Sequence, residues 1–512
     1  MNKKILLLRA KLGIEDPFPP LAFSYLGAIA KKEGFEVLVE NLNAQYTKKD
    51  YKSIIDLIKR EKPLLVGMNF ITNSVTYSYD LLEKIRPYCK IIVAGGPHAT
   101  ICPEEVLEKG ADIIVLGEAE ISFKNLLGKL SQNKKINSVK GLVFREKGKI
   151  VKTKPEADIK DLNVLPIPDR EVHRQSDYVK IKEEMNNYGA VLSSRGCTGR
   201  CTFCLHSLFG KCFRFRSADK ILEEILQLHK KYGVTTINFV DDSFTANRKR
   251  LNQICDMLIE KKLPIEWVCA SRIDFLTRET IFKMKKAGCV MISLGFESMI
   301  PKTLEKTKKT LDPQKYIEQT ERVLKWCHKA GIRAGVNTLV GFPWETAEEM
   351  RDFQKYVKKI RKYVTQCFDG GIIQPYPGTE IYNEYANECG FEKWWLYKKR
   401  LFKDEYRPFF MIYYHTFWDH LHNNFFNYDK KIFREIDKLY KIMGKWDLYI
   451  ISKRRFKNPL FAYFVYQALL FLSNFSLFLF NVSPKLEKTV MERVKKFSYK
   501  FKFRKGTENK DL

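Results

Sequence analysis

The stretch "SSRGCTGRCTFCLHS" (residues 193–207) puts three cysteines, Cys197, Cys201 and Cys204, on one short loop. Cys-x3-Cys-x2-Cys offers three thiolates to a single centre. Cubane iron–sulfur clusters are held by cysteine thiolates, and three protein ligands leave one iron open to an outside ligand. Zinc is the competing reading, with His206 as fourth ligand. Structural zinc sites, however, generally pair one C-x2-4-C with a distant second pair, and here every donor crowds into one loop. A third reading, buried structural cysteines, does not account for this spacing beside Gly196 and Gly199. The rest of the chain's 12 cysteines are scattered, with no disulfide framework. The opening "MNKKILLLRAKLGIEDPF" turns polar after a few apolar residues and does not read as a secretory signal. A reducing, intracellular setting is therefore expected, where clustered thiolates hold metal more often than each other.

The elements that position this loop are legible as strand–helix alternation. A chain of 512 residues should divide into two to four domains. Across residues 1–136, "KKILLLR", "FEVLVENL", "LLVGMNF", "KIIVAGG" and "ADIIVLGE" read as five strands with helices between them. That is one doubly wound, Rossmann-like domain of flavodoxin size. Residues 137–187 hold a small β excursion ("GLVFREKGKIVKT") and the proline-punctuated linker "DLNVLPIPDR". From 188 to 390 six further strands alternate with long helical intervals: "GAVLSSRG", "TTINFVDD", "IEWVCASR", "VMISLGFE", "IRAGVNTLVGF" and "FDGGIIQPY". The fold class expected is α/β, with a partial (β/α)6 TIM-type barrel whose strand C-termini carry the active site. Residues 391–512 form a helical, aromatic and basic segment.

With these motifs in place, the chain resembles the radical S-adenosylmethionine (SAM) superfamily, whose signature is Cys-x3-Cys-x2-Cys with an aromatic before the last cysteine, here Phe203. The resemblance implies a [4Fe-4S] cluster whose open iron chelates SAM, and reductive cleavage to a 5′-deoxyadenosyl radical. It also implies SAM contacts. "INFVDDSF" supplies Asp241 and Asp242 for the methionine amino group, against a plain reading as two solvated loop carboxylates. "ASRID" supplies Ser271 and Arg272 for the carboxylate or ribose, against a surface arginine. "SLGFES" supplies Glu297 and Ser298, although Met299 stands where the family usually has glycine. "VGFPWET" supplies Gly341 near the adenine, and "PYPGTEIY" is equally family-like; both are also ordinary turn chemistry.

A doubly wound domain before such a barrel resembles the cobalamin-binding domain of one large subgroup. "GGPHAT" and "GADIIVLGEAE" carry the likeness and imply Gly95, Gly96, His98, Gly117 and Glu118 as cobalamin contacts. Glycines at strand C-termini let backbone approach a bulky ligand at the switch point. The alternative is a structural Rossmann-like domain without a ligand. Asp-x-His-x-x-Gly, in which His ligates cobalt, is absent, so cobalamin is expected to bind without a protein ligand to the metal.

Residues 458–484 carry no charge and are flanked by basic residues. The length suits a membrane span, but five polar residues and many aromatics interrupt it. Monotopic membrane association is the first expectation, a buried helical hairpin the second and a true span the third. The net charge of +30 suits nucleic acid or anionic membrane, or equally a lysine-rich background, since the basic residues run along the whole chain. The reaction expected is cobalamin-dependent methyl transfer to an unactivated carbon of a small or lipid-like substrate. Its alternatives are oxidative cyclisation or another radical rearrangement, as in the anaerobic porphyrin cyclase. The expected partners are that substrate, a ferredoxin or flavodoxin donor and a membrane surface, in a cytoplasmic, peripheral location. A tRNA methylthiotransferase would need three more cluster cysteines in the amino-terminal domain, which holds only Cys89 and Cys102, so nucleic acid is not expected. A non-catalytic cobalamin or lipid carrier is opposed by the intact cysteine triplet.

Overall fold

The computed structural model describes residues 3–10, 20–42, 51–174, 188–205, 212–396, 425–456, 458–483, 486, 489–490 and 493. The chain forms two compact units, Met1–Ala334 with Gln374–Leu401, and Gly335–Ile373 with Phe402–Leu512.

In the first unit, the amino-terminal strands are β1 (Lys4–Arg9), β2 (Glu36–Asn41), β3 (Leu65–Asn69), β4 (Ile92–Gly95) and β5 (Ile113–Val115). A hairpin of β6 (Leu142–Glu146) and β7 (Lys149–Lys152) completes the sheet, ordered β2-β1-β3-β4-β5-β6-β7. The first five pair in parallel and the hairpin pairs antiparallel. The parallel strands are flanked by helices, and "ILLL" in β1 is buried throughout. The crossovers include α1 (Leu21–Lys32), α2 (Tyr51–Glu61), α3 (Val75–Ile85), α4 (Pro97–Ile101), α5 (Pro103–Glu108) and α6 (Ala119–Ser131). The five expected strands are all present, and the expected excursion extends their sheet.

The cysteine loop lies between two short antiparallel strands of the same unit, β9 (Ser194–Arg195) and β10 (Arg214–Phe215), which follow β8 (Tyr188–Val191). Then come α7 (Ala218–Tyr232), β11 (Thr236–Phe239), α8 (Arg248–Lys261), β12 (Glu266–Arg272), α9 (Arg278–Lys286), β13 (Cys289–Glu297), α10 (Pro301–Lys306) and α11 (Pro313–Ala330). β8, β11, β12 and β13 form successive parallel pairs. Helix ends follow local chemistry. Ser217 and Asp312 cap the backbones of α7 and α11, and Gly233 and Gly331 end them in the left-handed region.

β14 (Arg333–Val340) leads into the second unit and pairs in parallel with β15 (Phe368–Ile372), with α12 (Ala347–Ile360) between them. A Thr346–Glu349 capping box opens α12. α13 (Glu380–Tyr385) belongs to the first unit. The second unit ends in α14 (Lys430–Arg455) and α15 (Pro459–Val482), which pack on each other. The six strand–helix repeats expected of a (β/α)6 barrel are thus present in chain order. Among the described residues, no helix is long and apolar enough to cross a membrane.

Candidate active site

The cysteine loop leaves β9 at Gly196, whose φ of +80° suits glycine. It then folds back on itself: Gly199 N donates to Cys197 Sγ at 3.3 Å, and Cys204 N to Cys201 O at 3.0 Å. Gly199 leaves room for Arg272, since a Cβ there would stand 2.7 Å from Arg272 Nη1 and displace the guanidinium. That Nη1 points at Cys201 Sγ (3.7 Å), while Nη2 donates to the Lys309 carbonyl at 2.7 Å. Burial works against the Arg272 charge, but its bonds to Asp274 (3.0 and 2.8 Å) keep its pKa raised. Lys309, itself buried, pairs with Glu297 at 3.0 Å. Burial pushes the Cys201 thiol up, against the pull of Lys309 and Arg272. Two cations beside three thiolates suit an anionic cluster. Among the described residues, no three thiol, imidazole or carboxylate groups converge at the separations one ion imposes. Burial and the neighbouring Cys201 and Cys197 push the Cys204 thiol up, so the three sulfurs share one locality, as ligands to separate irons of one cluster do. His206 lies outside the described residues.

The other expected SAM contacts divide. Phe203 and Arg272 sit at the loop, both partly exposed. Asp242 is exposed, but Asp241 is turned inward and does not work as its pair. It accepts from Ser193 N (3.1 Å), Ser193 Oγ (2.9 Å) and Ser194 Oγ, so it anchors the strand ahead of the cysteines. Burial raises its pKa, against the charge of Arg250. Ser271 is also buried, bonded to Thr245 at 2.6 Å. Ser298 is fully buried and accepts from Ile300 N at 3.1 Å. All three side chains are buried and engaged in hydrogen bonds within the fold. Glu297 ends β13 at φ +69°, an uncommon conformation for a non-glycine residue, and remains partly exposed. Gly341 lies in the second unit at φ +82°, where its N–H donates to Glu345 Oε2 at 2.7 Å.

A cavity of about 300 Å³ opens at the C-terminal ends of β1, β3, β4 and β5, the switch point of the doubly wound sheet. Gly95, Gly96, Gly117 and Glu118 line it as expected. His98 does not. Its ring is fully buried, bonded to Thr72 (3.2 Å), Tyr79 (3.1 Å) and Glu105 (3.1 Å), so it braces α4 on α3 and α5. Gly96 adopts φ +95° and ψ 178°, and a Cβ on it would meet the Phe70 carbonyl at 2.9 Å. A Cβ on Gly117 would meet nothing within 4 Å, leaving open space where a ligand can approach the backbone. Among the described residues, two buried polar atoms of the lining, Tyr25 Oη and Asn69 Oδ1, have no hydrogen-bond partner. Orphaned atoms of this kind need a ligand or water, and the carboxamides around a corrin ring are suitable partners.

The cavity wall reaches the cluster strand through Arg195, which the sequence reading passed over although it stands two residues before Cys197. Its guanidinium pairs with Glu120 and, at 3.3 Å, with Glu118. Glu118 also takes Arg214 at 2.6 Å. Lys309 was equally missed, and nothing local in the sequence marks it.

Comparison with known proteins agrees with this geometry. The radical SAM superfamily profile matches residues 191–357, and the B12 binding domain matches residues 12–127. An uncharacterized methyltransferase of Pyrococcus horikoshii is 33% identical over 373 residues, 72% of this chain and 78% of that protein. The chain belongs to the cobalamin-binding branch of the radical SAM superfamily. The anaerobic magnesium-protoporphyrin IX monomethyl ester cyclase of Rubrivivax gelatinosus is 27% identical over 74% of this chain and 68% of its own. The radical SAM methyltransferase TsrM from Kitasatospora setae, solved with cobalamin and a [4Fe-4S] cluster, shares the fold at a TM-score of 0.64 and 20% identity, covering 76% of this chain and 79% of that one. This radical SAM protein is an enzyme of the family that includes cobalamin-dependent methyltransferases. Its cofactors are a [4Fe-4S] cluster, SAM and cobalamin. Cys197, Cys201 and Cys204 have the donor chemistry of cluster ligands, and the glycine-edged cavity leaves backbone open to a bulky ligand.

Proposed function

We propose that this enzyme transfers a methyl group to an unactivated carbon of a small or lipid-like substrate. The observation that carries the reading is the shared wall: Arg195 and Val240, next to the cysteine loop and to Asp241, line the same cavity as Gly95 and Gly117. When bound, the cluster with SAM supplies a 5′-deoxyadenosyl radical, and cobalamin supplies a transferable methyl group. The chain's own contribution is placement. The Arg195–Glu118–Arg214 pairs hold the cluster strand against the cavity, and Arg272 and Lys309 set positive charge beside the thiolates. Asp242, which is exposed, and Arg272 and Glu297, which are partly buried and tied to Asp274 and Lys309, are the side chains beside the thiols for SAM. Exclusion of water from this region protects a reactive radical.

Oxidative ring closure is the second reading, supported by the likeness to the cyclase. Methyl transfer is preferred because the methyltransferase from Pyrococcus horikoshii is more similar to the chain. A ferredoxin or flavodoxin supplies the electron, and the enzyme works in the cytoplasm at an anionic membrane surface. In the test, anaerobically reconstituted enzyme receives SAM, hydroxocobalamin and a reductant, with 5′-deoxyadenosine and methyl incorporation read by mass spectrometry. The wild type should hold about four irons and form deoxyadenosine, and Cys201→Ala should do neither. Zinc in place of iron, or an unimpaired Cys201→Ala, overturns the reading.

A further inference from the structure

α15 carries a stripe of large apolar side chains that nothing among the described residues of its unit covers. Leu460, Phe464, Phe471, Phe475, Phe478 and Val482 are between 37% and 83% exposed. At about 100° per residue they fall within roughly 60° of one another, on a helix face roughly 33 Å long. The exposed Gln467 and Ala468 fill the gap in the middle of the stripe. The opposite side is committed: Ala462, Ser476 and Leu479 are buried, and Tyr466 packs edge-on against Tyr449 of α14 at 5.7 Å. A soluble monomer rarely leaves so long an apolar strip in water.

Charge identifies the occupant. From residue 448 to residue 486 the sequence contains no Asp or Glu, while Lys453, Arg454, Arg455, Lys457 and Lys485 bracket the stripe at both ends. A second copy packed on this face, parallel or antiparallel, would bring basic ends against basic ends. An anionic lipid headgroup layer answers both features at once, with acyl chains for the stripe and negative charge for its ends. We propose that the outward face of α15 docks the enzyme on an anionic bilayer, with the helix lying in the interface. Depth is limited by the other face, which is spent on α14, and the helix is not apolar enough to span. The inference deepens the membrane-partner and lipid-substrate reading above and rests on it. A helix lying in the interface would hold the enzyme where a lipid substrate is concentrated.

Vesicle flotation of the full-length, cluster-loaded enzyme tests this, using phosphatidylcholine vesicles with and without phosphatidylglycerol. The wild type should float with the phosphatidylglycerol vesicles and bind them less at high salt. Phe471→Glu with Phe475→Glu should cut binding by roughly tenfold or more while keeping the cluster absorbance. Leu460→Ser with Phe464→Ser provides an independent pair at the other end of the stripe. Failure of the wild type to float, or flotation of both double variants at the wild-type level, sinks the proposal. So does a wild-type dimer on light scattering that either pair turns into a monomer. Deoxyadenosine formation without vesicles separates the two readings. If it is normal but no vesicles bind, docking falls and the catalytic reading stands; vesicle binding without deoxyadenosine does the reverse.

Discussion

Two glycines of the cavity make opposite demands, and substituting each with alanine separates fold from cofactor. Gly96 adopts φ +95° and ψ 178°, a region essentially confined to glycine, where another residue costs about 1–3 kcal/mol. The added Cβ would also stand 2.9 Å from the Phe70 carbonyl oxygen and 3.2 Å from the Phe70 nitrogen. Those are backbone atoms of the segment leaving β3 and cannot give way cheaply, so the total for Gly96→Ala is about 3 kcal/mol or more. Gly117 sits at φ +61° with no atom within 4 Å of its virtual Cβ, so Gly117→Ala carries only the left-handed penalty of about 1–2 kcal/mol. At about 2–4 °C per kcal/mol for a sheet domain of roughly 150 residues, Gly96→Ala should melt at least about 6 °C below the wild type and Gly117→Ala about 2–8 °C below. Retention of hydroxocobalamin should run the other way. In Gly117→Ala the new methyl stands where the corrin approaches the backbone, and the bound-cobalamin spectrum should disappear after gel filtration. The assay pairs circular-dichroism melting of cofactor-free protein with visible spectra of the filtered complex. Undiminished retention by Gly117→Ala would refute the assignment of that open space to the cofactor, and a wild-type melting point for Gly96→Ala would refute the strain argument.

Arg272→Gln should keep the iron content but lower the cluster's reduction potential by on the order of tens of millivolts, because a positive charge beside Cys201 is lost; an unchanged midpoint in an EPR-monitored titration would contradict this. Asp447 on α14 is pushed up to about 7 by burial and by Asp369, despite accepting from Phe368 N at 2.9 Å. A carboxyl with a raised folded pKa keeps its proton longer than the unfolded chain does, so stability falls as pH rises from the ordinary value of 3.8 to about 7. Asp447→Asn keeps an acceptor for Phe368 N and should be more stable than wild type at pH 8 by roughly 4 kcal/mol, with no difference below about pH 4; parallel stability curves for the two proteins would be inconsistent with the shift.

Much of the fold was legible because parallel strands covered on both faces are written as near-continuous apolar runs, "KILLLR" and "IIVAGG" among them. The cysteine motif was legible because its three thiols share one loop, and their spacing sets them apart from the scattered rest. Side-chain direction was not. Along extended backbone, neighbours point to opposite sides, so a motif of adjacent polar residues delivers only one of them to a site. Ser271 turns into the protein while Arg272 reaches Cys201, and Asp241 turns into the protein while Asp242 faces out. His98 followed two cavity glycines in sequence, yet as the second residue of α4 its ring points to α3 and α5. Lys309 and Arg195 were hidden for another reason: their partners, Glu297 for one and Glu118 and Glu120 for the other, are 12 or more positions away, and only tertiary packing brings them together.

The Arg195 pairs give the proposed cluster loop and the cavity one shared wall. Burying an ion pair returns little net stability, because desolvation offsets the Coulomb gain. Breaking one is expensive, so a buried network resists displacement. Arg195 stands two residues before the first cluster cysteine, and Glu118 stands one after Gly117 at the cavity edge. Their pairing, extended by Glu120 and Arg214, ties the start of the cluster loop to the cavity rim through side chains and not only through the chain. Transfer between two bound groups loses about 10²-fold for a misplacement of about 1 Å. A network that adds little stability but fixes that spacing is therefore more useful here than the apolar contact that would pack the same volume.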